Sequence, residues 1–273
     1  MIVFPNAKIN LGLNILERRP DGFHNIESLL FPIKFTDVLE VIPAEPDFVP
    51  FASTGLKIPS NGKPNLCQQA YFLLKEKYSI PGVSIHLHKN IPSGSGLGGG
   101  SADAAFTLKL LNQLFSLGLT TVELKRLAAK LGSDCPVFID NQSQFAAGRG
   151  DVLEPFKVNL SGFHLALIIP QVHVSTSEAY AGVKPDHPDT PLREVLGQPI
   201  ERWKHLLKND FEESVFRKFP SLASIKRDLY QFGAVYASMS GSGSAIFGLF
   251  EKTPGKRLQE SFRDSHFWVE ALD

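Results

Sequence analysis

The chain has 273 residues, 43% hydrophobic and 21% charged, the proportions of an ordinary soluble globular protein with room for one large domain or two lobes. Lysine plus arginine equals aspartate plus glutamate at 28 each, so the formal net charge is zero. That argues against a nucleic-acid partner, which calls for a basic excess, but leaves room for a small basic pocket. Cys67 and Cys135 are too few for a disulfide framework or a zinc site and read as free buried thiols of a cytoplasmic protein. No apolar run reaches membrane-spanning length, and Lys8 and Asn10 interrupt the N-terminal apolar run, so neither a membrane partner nor a signal peptide is expected.

Residues 2–16 read as a strand with period-two alternation. Ile9, Leu11, Leu13 and Ile15 face one way; Lys8, Asn10, Gly12 and Asn14 face the other, as a ligand-facing pair of polar groups or as a solvated strand face. Pro20-Asp21-Gly22 is turn chemistry, with Phe23 and His24 just past it, where edge packing is the ordinary use of such rings. Further strands are expected over 26–44, then a Pro-, Gly- and Ser-rich loop over 45–63 with one short strand. Asn65 is a candidate N-cap for a helix running to about Tyr78. Val83–His88 alternates like a half-buried strand and ends in Lys89, which either meets an anion or is solvated.

Next comes Pro92-Ser93-Gly94-Ser95-Gly96-Leu97-Gly98-Gly99-Gly100-Ser101-Ala102, with five glycines in seven positions, running straight into a helix. Ala104, Leu108, Leu111 and Phe115 fall on one face of that helix, and Gly118 is a candidate C-cap. Strand, bare-backbone loop and helix start make an anion site, because glycines let N–H groups approach the ligand and the first turn offers unpaired donors. Phosphate is the expected guest. The loop is not a Walker A motif, which needs Lys-Ser or Lys-Thr after its last glycine where this chain has Ser101-Ala102. The His-Arg-Asp and Asp-Phe-Gly segments of protein kinases do not occur. A Rossmann dehydrogenase needs an acidic residue about 20 positions on. Glu123 has that spacing, but Thr120-Thr121-Val122-Glu123 reads as a capping box for a helix over 122–131, with Leu124, Leu127, Ala128 and Leu131 on one face.

Asp134 lies between a Gly-Ser turn and an apolar Cys-Pro-Val-Phe segment, where capping a short helix at Pro136 is the simpler reading of the residues. His164–Pro170 is a buried strand by its continuous apolar run. Val174–Tyr180 opens a helix with Thr176 and Tyr180 on one face, where Tyr180 suits packing. Residues 182–199 read as surface loop, Ser240-Gly241-Ser242-Gly243-Ser244 as the turn of a hairpin, and 254–273 as a helix and a final strand.

Pro92–Ala102 resembles the central motif of the GHMP kinases, and the triple glycine Gly98–Gly100 resembles one branch of that family. Members of that branch phosphorylate the 2-hydroxyl of diphosphocytidyl methylerythritol in the non-mevalonate isoprenoid pathway. Three further segments are similar to it: Pro5-Asn6-Ala7-Lys8-Ile9-Asn10, Asp21-Gly22-Phe23-His24, and Gly132-Ser133-Asp134-Cys135-Pro136-Val137-Phe138. Gln144–Gly150 and Asn209-Asp210-Phe211-Glu212 also resemble family segments, and the likeness runs from about residue 4 to about residue 250. It implies an α+β, two-lobed GHMP-kinase-type fold with the active-site cleft between an N-terminal lobe, 1–157, and a C-terminal lobe, 158–273, the boundary lying near 155–162. It implies Lys8 and Asp134 as catalytic residues, Asp134 being the acid–base group. It implies ATP held by Asn65, Lys89 and the loop residues Pro92, Ser93, Gly94, Ser95, Gly96, Leu97, Gly98, Gly99, Gly100, Ser101 and Ala102. It implies substrate held by Asn10, Phe23, His24, Thr176 and Tyr180, with the rings on the cytosine. The branch has Tyr where this chain has Phe23, so the phenol hydroxyl is missing. In the family the Ser240–Ser244 turn packs against the phosphate loop. Mg²⁺ is implied by ATP chemistry, its ligands unassigned beyond Ser101 as a candidate. The partner implied is this small-molecule substrate, the assembly a monomer or weak homodimer. Three other readings compete: a GHMP kinase for a smaller alcohol, a nucleotide-binding protein without catalysis, and an NAD-binding Rossmann dehydrogenase.

Overall fold

The computed structural model describes residues 1–45, 48–59 and 62–272. In chain order come β1 (Ile2–Val3), β2 (Asn6–Arg18), β3 (His24–Thr36), β4 (Val38–Pro43), β5 (Phe51–Gly55), α1 (Leu66–Lys75), β6 (Val83–Lys89), α2 (Gly99–Leu114), α3 (Thr121–Leu131), α4 (Val137–Asp140), β7 (Gln144–Ala147) and β8 (Val152–Pro155). They are followed by β9 (His164–Ile169), α5 (Thr176–Ala181), α6 (Leu192–Leu196), α7 (Ile200–Leu206), α8 (Phe211–Lys218), α9 (Pro220–Gln231), β10 (Tyr236–Met239), β11 (Ile246–Phe250), α10 (Lys256–Ser261) and β12 (His266–Ala271). The chain forms two compact units, one of Met1–Lys8, Pro32–Ser93 and Gly98–Gln142, the other of Ile9–Phe31, Gly94–Leu97 and Ser143–Asp273.

The first unit carries a sheet of order β1-β4-β6-β5, with β5 parallel to β6 and the other pairs antiparallel, and the helices α1 to α4. The expected alternation of β6 is real: Val83, Ile85, Leu87 and Lys89 are buried and the residues between them half-buried. Leu39, Val41, Tyr71, Leu74, Leu108, Leu111 and Phe138 are buried with them. Each such side chain contributes roughly 1.5–3 kcal/mol by leaving water.

The second unit carries a sheet of order β10-β11-β9-β12 and another of order β2-β3-β7-β8, with helices α5 to α10. Central β9 pairs antiparallel with both β11 and β12, and successive residues Leu165–Ile169 are all buried, so both of its faces are covered and its apolar run has no polar alternation. Its Ala166 and Ile168 pack with Leu13, Ile15, Leu222, Leu229, Met239 and Ile246 in one cluster.

Several elements differ from the sequence expectation. The strand over 2–16 is two strands, broken at Phe4-Pro5, where proline has no N–H for a ladder. The polar positions of β2 are not a solvated face: Lys8, Asn10 and Asn14 are buried. α1 stops at Lys75, short of Tyr78. α2 ends at Leu114 with Phe115 as C-cap, and Gly118 sits beyond it in a loop that the Asn112 side chain holds at both the N–H and the carbonyl of Leu119. The stretch over 182–199 holds α6, whose Leu192, Val195 and Leu196 are buried; its flanking prolines made it look like loop. The cysteines are buried free thiols, as expected.

The Thr120–Glu123 capping box is present, with Thr120 Oγ1 accepting from the Glu123 N–H and Glu123 accepting from the Thr120 N–H. Thr120→Ala is expected to cost about 1 kcal/mol, read in thermal unfolding as a loss of about 2–4 °C, with Thr120→Ser near wild type. An unchanged melting point would mean that the cap contributes nothing here.

Candidate active site

The segment between β6 and α2 turns on glycine. Gly94, Gly96 and Gly98 have φ of +71°, +79° and +72°, left-handed values that a side chain strains against. At Gly96 an added Cβ would also stand 2.0 Å from the Ser240 carbonyl oxygen. At Gly98 it would meet the Phe138 ring at 2.9 Å and Lys8 Cε at 3.3 Å. Gly98 is the N-cap of α2, and no side chain caps that helix. Its first-turn N–H groups therefore keep the donor capacity and partial positive charge that suit an anion. The Ser240–Ser244 turn packs against this loop as expected: the Ser240 hydroxyl donates to the Gly96 carbonyl at 2.9 Å, and the Ala245 N–H to the Ser95 carbonyl at 3.0 Å. Asn209 holds the turn from behind, its amide donating to the Met239 and Gly241 carbonyls.

Lys8 and Asp134 meet in the first unit. Lys8 Nζ is 3.8 Å from Asp134 Oδ2, with the Lys8 side chain 4% and the Asp134 side chain 43% exposed. Burial pulls the Lys8 ammonium below the ordinary lysine range, and Asp134 pulls part of the way back. The capping alternative for Asp134 fails: the N-cap of α4 is Pro136, with no side-chain capping bond. Ser101, in the first turn of α2, lies beside Gly132 together with the Cys135 thiol.

Lys89 corrects the sequence reading. The sequence offers phosphate oxygens or water as its partners, and the structure gives it two carboxylates inside the protein. Its ammonium is buried between Asp37 Oδ2 at 2.5 Å and Asp103 Oδ2 at 2.9 Å. Both carboxylates are themselves buried. β6 alternates inward at odd positions, and Lys89 is the last of them. Burial alone would lower Lys89, but Asp103 and Asp37 hold it above the ordinary value. Burial pushes the Asp103 carboxyl up to about 7, Lys89 pulling against it and Asp37 pushing with it. Neither aspartate was singled out from sequence. Asp103 did carry a signal, a lone charge among Ala102, Ala104 and Ala105.

Asn65 is the N-cap of α1 in a capping box with Gln68, its Oδ1 accepting from the Cys67 N–H. Leu66 lies 3.6 Å from where a Gly100 Cβ would be, which sets the start of α1 beside the start of α2.

In the second unit, Arg18, Gly22, His24, Ser177, Tyr180 and Pro185 line a cavity of about 470 Å³. The His24 and Tyr180 rings stack at 4.9 Å, and Phe211 meets Tyr180 edge-on at 4.8 Å. Tyr180 therefore both packs and lines the cavity. Phe23 stands outside the lining, 56% exposed, with the Arg149 guanidinium 5.2 Å over its ring, a neighbour not foreseen from sequence. Thr176 is exposed and does not line the cavity either; Ser177, three residues before Tyr180, takes that face of α5. Asn10 is held within the sheet, donating to Ser28 Oγ at 2.8 Å and receiving the Ser240 hydroxyl at 3.4 Å. Among the described residues no group of three or more His, Cys, Asp or Glu could hold a metal ion, and no helix is long and apolar enough to cross a membrane.

Two family models match the chain: GHMP kinases N terminal domain over residues 65–149 and GHMP kinases C terminal over residues 192–267. A protein of Cytophaga hutchinsonii named 4-diphosphocytidyl-2-C-methyl-D-erythritol kinase is 52% identical, the match covering 93% of this chain and 94% of that one. One of the same name from Bacteroides fragilis is 50% identical over 92% of each. A crystal structure of 4-(cytidine 5'-diphospho)-2C-methyl-D-erythritol kinase superposes with a TM-score of 0.85 at 33% identity, covering 98% of both chains. With its α+β fold, its glycine loop and relatives of this identity along nearly its whole length, the chain belongs to the GHMP kinases.

Proposed function

We propose that the protein transfers the γ-phosphoryl group of ATP to the 2-hydroxyl of 4-diphosphocytidyl-2-C-methyl-D-erythritol. The observation that carries this reading is the Lys8–Asp134 pair, a buried ammonium against a carboxylate open to solvent. The names of the relatives supply the substrate. ATP is the donor that the kinase family implies.

The hydroxyl oxygen attacks the γ-phosphorus, the bond from that phosphorus to the β–γ bridging oxygen breaks, and ADP leaves. Asp134 accepts the hydroxyl proton, a role worth roughly 10²–10⁴ in rate. Lys8 offsets negative charge on the group in transfer. The loop fits a polyphosphate: its left-handed glycines and the uncapped start of α2 present backbone donors where a Cβ would intrude. Asn65, at the start of α1 beside the start of α2, is assigned to the adenosine end. Mg²⁺ would enter with the nucleotide, bound largely by phosphate oxygens, as this ion commonly is. His24 and Tyr180 are the groups best placed to take the cytosine, with Phe23 as a further stacking face, and Asn10 and Thr176 are assigned to the same substrate.

ADP release should follow addition of the cytidyl substrate and not of homoserine, mevalonate or galactose. Asp134→Asn should lower kcat by about 10²–10⁴ while ADP still binds. Turnover of another alcohol would keep the loop and sink the cytosine site. Full activity in Asp134→Asn would remove the base. Activity should also fall at alkaline pH below the ordinary lysine value of about 10.4, because Lys8 is depressed and must stay protonated; a profile flat through that range would count against its charge. Gly96→Ala should weaken ADP binding and cost about 1–3 kcal/mol in an unfolding titration, and an unstrained, fully binding variant would mean that the loop does not need that backbone.

A further inference from the structure

The loop assigned to the polyphosphate has two ends in the first unit, and one buried cluster touches both. At the entry, Asp37 Oδ1 accepts the N–H of Asn90 at 2.6 Å and of Ile91 at 2.9 Å, the two residues that follow β6. Asp37 Oδ2 takes Lys89, the last residue of β6. At the exit, Lys89 also donates to Asp103 on α2. The ammonium lies close under the first turn of that helix: a Cβ added to Gly99 would be 3.2 Å from Lys89 Nζ and 2.8 Å from Ile91 Cγ2. Thr107, one turn further along α2, donates to the Asp103 carbonyl.

The cluster is more than an ion pair for stability. Two buried carboxylates share one ammonium, and Asp103 Oδ1 is buried with no hydrogen-bond partner. Such an arrangement costs desolvation that well-packed apolar residues of the same size would avoid. What it gives in return is directionality. Each bond has a defined angle and length, so the end of the strand, the entry of the loop and the start of the helix are fixed against one another.

We propose that Asp37, Lys89 and Asp103 are positioning residues of the phosphate loop: they set the separation of its two ends, and so the aim of its backbone donors, without touching the nucleotide. The inference rests on the reading that this loop binds polyphosphate. It replaces the expected role of Lys89 as a direct phosphate ligand. Backbone N–H groups at a helix start serve an anion only where they point at it.

The test is ADP binding by calorimetry, which needs no turnover, beside ATP kinetics. Asp103→Ala cuts the link to α2 and should raise the ADP dissociation constant about tenfold or more, with KM for ATP rising and kcat changing much less. Asp103→Asn keeps an acceptor for Lys89 and should rescue most of that loss. Leu111→Ala, a cavity further along the same helix, should lower the melting point while leaving ADP affinity near wild type. Should Asp103→Ala not fold, Asp37→Asn keeps the shape of the side chain and should weaken ADP in the same direction. Wild-type affinity in folded Asp103→Ala or Asp37→Asn would overturn the proposal and leave the loop's ligand unchallenged. An equal loss of affinity in Leu111→Ala would reduce the cluster to general stability. No ADP binding by the wild-type chain would remove the polyphosphate reading and this inference with it.

Discussion

A helix start can serve a ligand only if the chain does not spend its donors first. α1, α3 and α5 each spend theirs on a capping box, with Asn65, Thr120 and Ser175 at the N-cap. α2 has Gly98 there, left-handed and without a side chain. With glycine at the N-cap, giving up a side-chain cap forgoes only a few tenths of a kcal/mol, and the sixteen-residue length of α2 and its buried Ala102, Ala104, Leu108 and Leu111 offset that readily. The same missing Cβ lets the Phe138 ring and the stem of Lys8 close in on the loop's exit. One position thus meets three demands at once: the turn, the open donors and the approach of the Lys8 carbon chain.

The two buried lysines show how surroundings assign chemistry to one residue type. Lys89 lies within 3 Å of two carboxylates that are as buried as it is, so its charge is consumed inside the protein. Lys8 is as deeply buried, but the carboxylate beside it is more distant and 43% exposed. Burial lowers both, yet only at Lys89 does the local negative charge win. A buried ammonium that remains depressed beside a solvent-facing carboxylate 3.8 Å away lacks the close geometry by which a buried ion pair offsets its desolvation. That arrangement suits a site whose electrostatics are completed by a bound anion.

Local pattern was enough for whatever depended on neighbours in sequence. The glycine loop entering α2, the box at Thr120, the alternation in β6, the apolar run of β9 and the hairpin around Ser240–Ser244 all stand where periodicity and turn chemistry put them. What escaped was set by partners far along the chain. Nothing near Lys89 announces Asp37, 52 positions away. Nothing near Asp134 tells a helix cap from an ion pair with Lys8, and only the family resemblance favoured the pair. Composition misled at 182–199, where prolines flank a helix instead of excluding one. At α5 the spacing rule allowed both Thr176 and Ser177 as neighbours of Tyr180, and only the packing of that short helix chose Ser177.

The substitution at Phe23 fits this division between shape and hydrogen bonding. A ring stacks on a base through its face, and the loss of a phenol hydroxyl leaves that face unchanged. Base identity is read at the edge, by groups that donate and accept. His24 can do both, and the Tyr180 stack with Phe211 behind it holds the imidazole in place. The guanidinium of Arg149 over Phe23 adds charge-assisted donors on the exposed side of the ring. It is also paired with Asp151, at 3.2 Å, which anchors the Gly148–Asp151 turn beside the Phe23 ring. The missing hydroxyl therefore removes one donor from a neighbourhood that keeps an aromatic face, an imidazole and a guanidinium.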